Sequence, residues 1–295
     1  MTIQSPPAWI WDRLNLAGRN VGAADPDEYW SGQAGTGAAD KARPALPVRR
    51  IGIGDVMDAL IQGHEDFHAN RTDVVFLCVF YPIMGFIVAR LAFGYELLPL
   101  IFPLASGFTL IGPLAAVGLN EMSRRRERGE EVKWPDVFGV LRSPSIGAIA
   151  MLGSILVVIF LAWLAVADAI YLVTLGPEPP ASLPAFIHDV FHTVAGWEMI
   201  TLGMGVGFLF ALLVLSMTAV SFPLLLDHQV GLDMAIRTSI RAIRKNPVPM
   251  MAWGLIVAAG LVLGSIPLFL GLVIVLPVLG HATWHLYRKL VPPLL

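Results

Sequence analysis

The chain has 295 residues, of which 56% are hydrophobic and 14% charged, with a mean hydropathy of +0.70. Soluble globular domains carry roughly 25% charged residues, and here most charges sit in a few blocks between long apolar runs, which excludes one soluble domain. A net charge of −2 gives no nucleic-acid footprint, and the single cysteine, Cys78, excludes an intramolecular disulfide and a thiolate metal cluster.

Residues 1–48 are rich in Gly, Ala, Pro and Asp and read as a mostly disordered cytoplasmic tail. The opening MTIQSPPAWIWDRLN lacks the basic and apolar regions of a signal peptide. Trp9, Trp11, Tyr29 and Trp30 suit a segment resting on a membrane surface.

Residues 49–295 read as an all-α transmembrane domain of six helices. Runs of about 18 or more apolar residues are long enough to cross a bilayer. They are continuous rather than alternating, so they predict helices and not a β-barrel. The expected spans are 74–93, 97–120, 146–174, 197–226, 248–264 and 267–287. The outer loop 175–196 predicts a short helix after Pro184. Lys and Arg test the orientation independently: 19 of 20 fall on one side of this six-span plan, Arg90 being the exception. The positive-inside rule then places both termini and both long basic loops in the cytoplasm.

The segments before the odd-numbered spans share a pattern. DVMDALIQGHEDFHAN starts at Asp55, DVFGVLRSPS at Asp136 and DMAIRTSIRAIRKNP at Asp233. Each Asp is expected to cap a helix N-terminus. Each even-numbered span carries a proline near its inner end: Pro113, Pro223 and Pro277. The implied unit is a cytoplasmic interfacial helix followed by a membrane hairpin, used three times in parallel. In the third interfacial helix Leu232, Ile236, Ile240 and Ile243 share an apolar face opposite Arg237, Arg241 and Arg244. The first has Val56, Leu60, Gly63 and Phe67 on one face and Asp58, Glu65 and Asp66 on the other. Acid on the first and base on the third predict that the two pack together.

Residues with chemical potential are few. Histidines spaced i, i+4 could chelate a metal from one helix face, and His64/His68 and His281/His285 are the weak candidates on the inner side. HATWH lacks the glutamate of the zinc-protease motif. No histidine falls near mid-bilayer, so a haem-bearing oxidase subunit is not expected. The structural candidates are the three prolines, the GxxxG pairs Gly203/Gly207 and Gly260/Gly264, and an Arg90–Asp168 clamp near the outer surface. No catalytic residue and no cofactor is expected.

YPIMG at 81–85, LIGPLAAVGLNEMSRRRERG at 110–129, SFPLLLDHQVG at 221–231 and LPVLGHATWHLYRKLV at 276–291 together resemble a bacterial integral-membrane family, number 2189 in the domain-of-unknown-function series. The likeness runs from about residue 48 to the end. The resemblance implies no known activity; through the loose link of some members to cytochrome c oxidase it implies a respiratory-membrane setting. Three readings of function stay open. The first is a non-enzymatic inner-membrane accessory or scaffold protein whose partners are membrane lipids and other inner-membrane proteins. The second is a transporter or channel for a small neutral or lipid-like molecule. The third is a metal- or haem-handling membrane protein.

The topology makes a direct prediction. Compartment reporters fused after Arg128 and after Ser182 should give opposite signals; matching signals would rule out six spans.

Overall fold

In the computed structural model the described residues are 46–69, 98–100, 103–104, 112–114, 116–266 and 270–292. Their regular structure is entirely helical. The first expected span, Cys78, Arg90 and part of the second span lie outside these residues.

Among the described residues three helical segments are long and apolar enough to cross a membrane: Ile146–Thr174, Val194–Asp227 and Pro247–Ser265. The first is helix α3 (Ile146–Thr174). The second comprises α5 (Val194–Thr218) and α6 (Ser221–Asp227). The third is α8 (Pro247–Ser265). Apolar side chains stand outward along them, Val158 and Val173 on α3 at 65% and 78% exposure and Leu255 on α8 at 63%. Such surfaces gain by leaving water for lipid. The sixth expected span forms α9 (Leu272–Leu290), whose last half carries His281, His285, Arg288 and Lys289.

Between α3 and α5 the short helix α4 (Leu183–His192) starts one residue before Pro184. Ser182 caps it by accepting from the Ala185 amide at 3.2 Å. Pro184 occupies its first turn, where a missing N–H costs nothing.

The prolines act differently from one another. Pro223 has no N–H, and its ring would clash with the carbonyl four residues back. The chain answers by breaking the helix at Ala219–Val220 and restarting at Ser221. The Val220 amide freed there donates to Ser239 Oγ at 3.3 Å. Pro277 instead sits inside an unbroken α9.

The amphipathic segments form α1 (Ile53–Ala69), a 3-10 helix (Trp134–Arg142) and α7 (Leu232–Lys245). None of the three aspartates is an N-cap. Each lies inside the first turn. Asp55 and Asp136 reach back to accept from the amides of Gly52 and Lys133, both at 2.8 Å. A carboxylate is long enough to satisfy an orphan donor from that position and favours the positive end of the helix dipole. Asp233 pairs with Arg237 one turn on, at 2.8 Å.

Helix α7 corrects its expected face. The fully buried stripe is Ala235, Thr238, Ser239 and Ala242. Leu232, Ile236, Ile240 and Ile243 flank it half-buried, with Arg237, Arg241 and Arg244 exposed. Small residues let α7 approach its neighbours closely, so the larger apolar residues seal the edges instead.

The expected pairing of α1 with α7 is also replaced. Helix α1 packs along α9, because Gly63 leaves room for the opposing chain: a Cβ there would stand 2.5 Å from the Ala282 backbone nitrogen. The acid of α1 follows, with Asp55 and Asp58 pairing with Lys289 of α9 at 3.6 and 3.2 Å. The base of α7 makes another contact. Lys245 donates to the Val48 carbonyl at 2.6 Å. Next to it, Asn246 holds the extended segment before α1, accepting from Ile51 N at 2.9 Å and donating to Arg49 O at 3.0 Å. Leu46 and Val48 in that segment are buried.

Candidate functional site

Helix α2 (Val117–Glu127) is the wall between two features. One is a buried polar cluster against α1 and α9. The other is an apolar cavity against α5, α6, α8 and α9.

The cluster centres on Asp66. The sequence put this residue on the wet face of α1, but its side chain is 7% exposed. Burying a carboxylate is costly unless it is paired and hydrogen-bonded. Asp66 Oδ2 accepts from Ser123 Oγ of α2 at 2.6 Å and from His285 Nε2 of α9 at 2.8 Å. Arg126 Nε lies 3.2 Å from Oδ1. Burial alone would push the Asp66 carboxyl upward; the hydrogen bonds from His285 and Ser123 and the charge of His285 outweigh it and hold the group below the usual carboxylate range.

Ser123 Oγ also lies 2.8 Å from His281 Nδ1. A hydroxyl has one proton, and here it goes to Asp66, so Nδ1 of His281 is the donor to Ser123. The contact resembles a nucleophile and its base, but the geometry differs from a triad. The carboxylate holds the serine rather than the histidine, and Ser123 and His281 are 1% and 0% exposed. The arrangement locks three helices together.

A ring of outer pairs surrounds the cluster. Glu121 on α2 binds both Arg124 and Arg125, at 2.7 and 2.8 Å. These bonds, led by the one to Glu121, raise the Arg125 guanidinium above its ordinary value. Asp227 at the end of α6 accepts from the Tyr287 hydroxyl at 2.8 Å and from Arg288 at 3.2 Å. Glu127 accepts from Trp284 Nε1 and Arg288 Nε, both at 2.9 Å.

The histidine pairs do not form one centre. His64 and His68 stand on the exposed face of α1 with their Nε2 atoms 3.1 Å apart, while His281 and His285 face the buried Asp66. Among the described residues no three His, Cys, Asp or Glu side chains are grouped to hold a metal.

The cavity has a volume of about 300 Å³. Pro113 and Pro223 line it together, with Leu276 beside Pro277. The helix break before Pro223 thus leaves space between helices rather than closing it, with Pro113 on the wall of that space. Phe208, Met251 and Leu255 are lining residues that are also exposed, at 52%, 41% and 63%, so the cavity opens on the apolar surface between α5 and α8. Asn120 of α2 lines it from the opposite side. The residue is 1% exposed, and its amide oxygen has no hydrogen-bond partner among the described residues.

The remaining sequence candidates separate. A side chain at Gly260 would meet Val275 of α9 at 3.1 Å, and one at Gly264 would meet Leu272 at 2.7 Å. A side chain at Gly207 would meet Trp163 of α3 at 3.1 Å, whereas Gly203 has open space beside it. Asp168 is exposed on α3, and its expected partner Arg90 lies outside the described residues. Sequence reasoning missed Asn120 and Ser123. A lone amide inside LIGPLAAVGLNEMS is the signal that could have found the first.

Residues 101–227 match the family described as predicted integral membrane protein (DUF2189), the family that the sequence motifs resemble. The match is narrower than the stretch expected from the motifs, leaving YPIMG and LPVLGHATWHLYRKLV outside it. No curated protein and no solved structure matches the chain.

The cluster predicts a pH dependence. A carboxyl lowered by folding stabilises the fold above its unfolded value of 3.8, and that contribution is lost as pH falls through the folded value. Denaturant unfolding in detergent should show the wild type losing stability in acid below that range. Asp66→Asn should be weaker at neutral pH by on the order of 3 kcal/mol, with a shallower acid decline.

Proposed function

We propose, taking the family likeness over residues 101–227 as premise, that this chain is a non-enzymatic accessory or scaffold protein of the bacterial inner membrane. It crosses six times with both termini in the cytoplasm. Three interfacial helices, α1, the 3-10 helix and α7, precede three parallel hairpins. The exposed arginines of α7 face anionic headgroups, each worth about 1 kcal/mol near such a surface.

The observation that carries this reading is the bonded polar cluster at the basic end of the bundle. Asp66, Ser123, His281 and His285 tie α1, α2 and α9 into a buried contact, and the pairs at Glu127, Asp227 and Lys289 surround it. A transport path between α1, α2 and α9 would have to part these bonds. A rigid basic platform above apolar, outward-facing helices suits holding neighbouring proteins in place. The family likeness adds a respiratory-membrane setting.

The second reading, transport or binding of a small neutral or lipid-like molecule, draws on the cavity at Pro113 and Pro223. Its lining is apolar rather than wet, which favours a molecule from the bilayer over an aqueous solute.

Two measurements on one preparation separate these readings. The protein isolated from native membranes should carry a stoichiometric membrane-protein partner, and its proteoliposomes should move a fluorescent uncharged glycolipid between leaflets at the protein-free rate. A chain that purifies alone and speeds that lipid movement in proportion to its amount would replace the accessory reading with the transporter.

A further inference from the structure

The cavity between α2, α5, α8 and α9 carries an inference that does not depend on the accessory reading. We propose that it is a binding site for an uncharged amphipathic lipid bearing a hydroxyl group, with the hydroxyl donating to the amide oxygen of Asn120 and the hydrocarbon chain lying toward the mouth between α5 and α8.

The charge of the ligand follows from the lining, whose described residues include no Asp, Glu, Lys, Arg or His. A charged head would enter an apolar space with no counter-charge, at a cost no single hydrogen bond offsets. The shape follows from the mouth. Phe208, Met251 and Leu255 line the cavity and are exposed on the apolar surface, so entry is from the bilayer. At about 300 Å³ the space takes a small molecule or a length of acyl chain.

The hydrogen-bonding character of the ligand follows from what the wall offers. Thr218, Ser265 and Thr283 line the cavity, and each hydroxyl proton already goes to a carbonyl of its own helix: Val214, Leu261 and Leu279, at 2.8, 2.8 and 2.7 Å. What these hydroxyls have left is acceptor capacity. The Asn120 oxygen is an acceptor with no donor among the described residues. A buried acceptor left unpaired costs about 1–3 kcal/mol, so a ligand that brings one donor relieves a penalty the empty protein carries. An ether or a plain hydrocarbon of the same length does not.

The test uses the full chain in phosphatidylcholine vesicles and two probes. One is a long-chain primary alcohol with a diazirine in its tail; the other is its methyl ether. The alcohol should photolabel peptides spanning 208–223 and 251–265, saturably and in competition with unlabelled alcohol. The ether should need about 5- to 150-fold more probe for the same labelling, the ratio expected when one buried acceptor is left unpaired. Asn120→Leu should bring the alcohol down to the level of the ether. Ala258→Trp, at an exposed lining position, should fill the mouth and remove labelling by both probes. Equal labelling by alcohol and ether in the wild-type chain would overturn the proposal without recourse to any variant. So would labelling that does not saturate, or that survives Ala258→Trp.

Discussion

A carboxylate buried between helices must find partners, and Asp66 sets much of this architecture by that requirement. Its described partners Ser123, Arg126 and His285 come from α2 and α9, separated from it by 57 to 219 positions in the chain. Bonds to residues so distant select one register of α1 against both helices. Gly63 makes that register sterically open. Val56, Ala59 and Phe67 on the same face are buried with it. Apolar burial supplies attraction without direction; the directed bonds fix which residues meet. The surrounding exposed pairs contribute little individually, roughly 0–1 kcal/mol each.

The other side of α2 shows the opposite physics. There Pro113, Pro223 and the small side chains of Ala211 and Ala258 leave space between helices unfilled. The helix break before Pro223 diverts α6 toward the basic end, where Leu224, Leu225 and Leu226 are buried. Just before that break, α5, α8 and α9 leave the cavity that Asn120 faces. One helix therefore presents polar groups that are fully paired on one face and a single unpaired acceptor on the other. That contrast makes Asn120 chemically conspicuous, although the residue has no motif around it.

Much of the helical plan was legible in the sequence because it rests on composition and length. The runs at 146–174 and 248–264 appear as α3 and α8 almost residue for residue, since continuous apolar stretches leave few alternatives. The short helix expected after Pro184 was legible through that proline, and it starts one residue earlier, at Leu183. The tertiary partners were not. Asp66 reads as solvent-facing by its neighbours Glu65 and Asp58, and only the approach of α9 at Gly63 turns it inward. Pairing α1 with α7 by complementary charge failed because Lys289 and Arg126 stand closer to that acid than the arginines of α7 do. The aspartates were legible as belonging to helix starts, but not their offset. A carboxylate can satisfy the same amide from the cap or from inside the first turn.

The docking of α1 on α9 is the claim on which this account depends, and thiol accessibility tests it most directly. In a chain with Cys78 replaced by serine, single cysteines are placed at Val56, which is 0% exposed, and at its neighbour Met57, which is 48% exposed. Inverted membrane vesicles are then treated with a membrane-impermeant maleimide. The account predicts rapid labelling of Met57→Cys and none of Val56→Cys until detergent denaturation exposes both. Equal labelling of the two in native vesicles would contradict it, since α1 would then lie free of α9 and Asp66 would have no buried site to occupy.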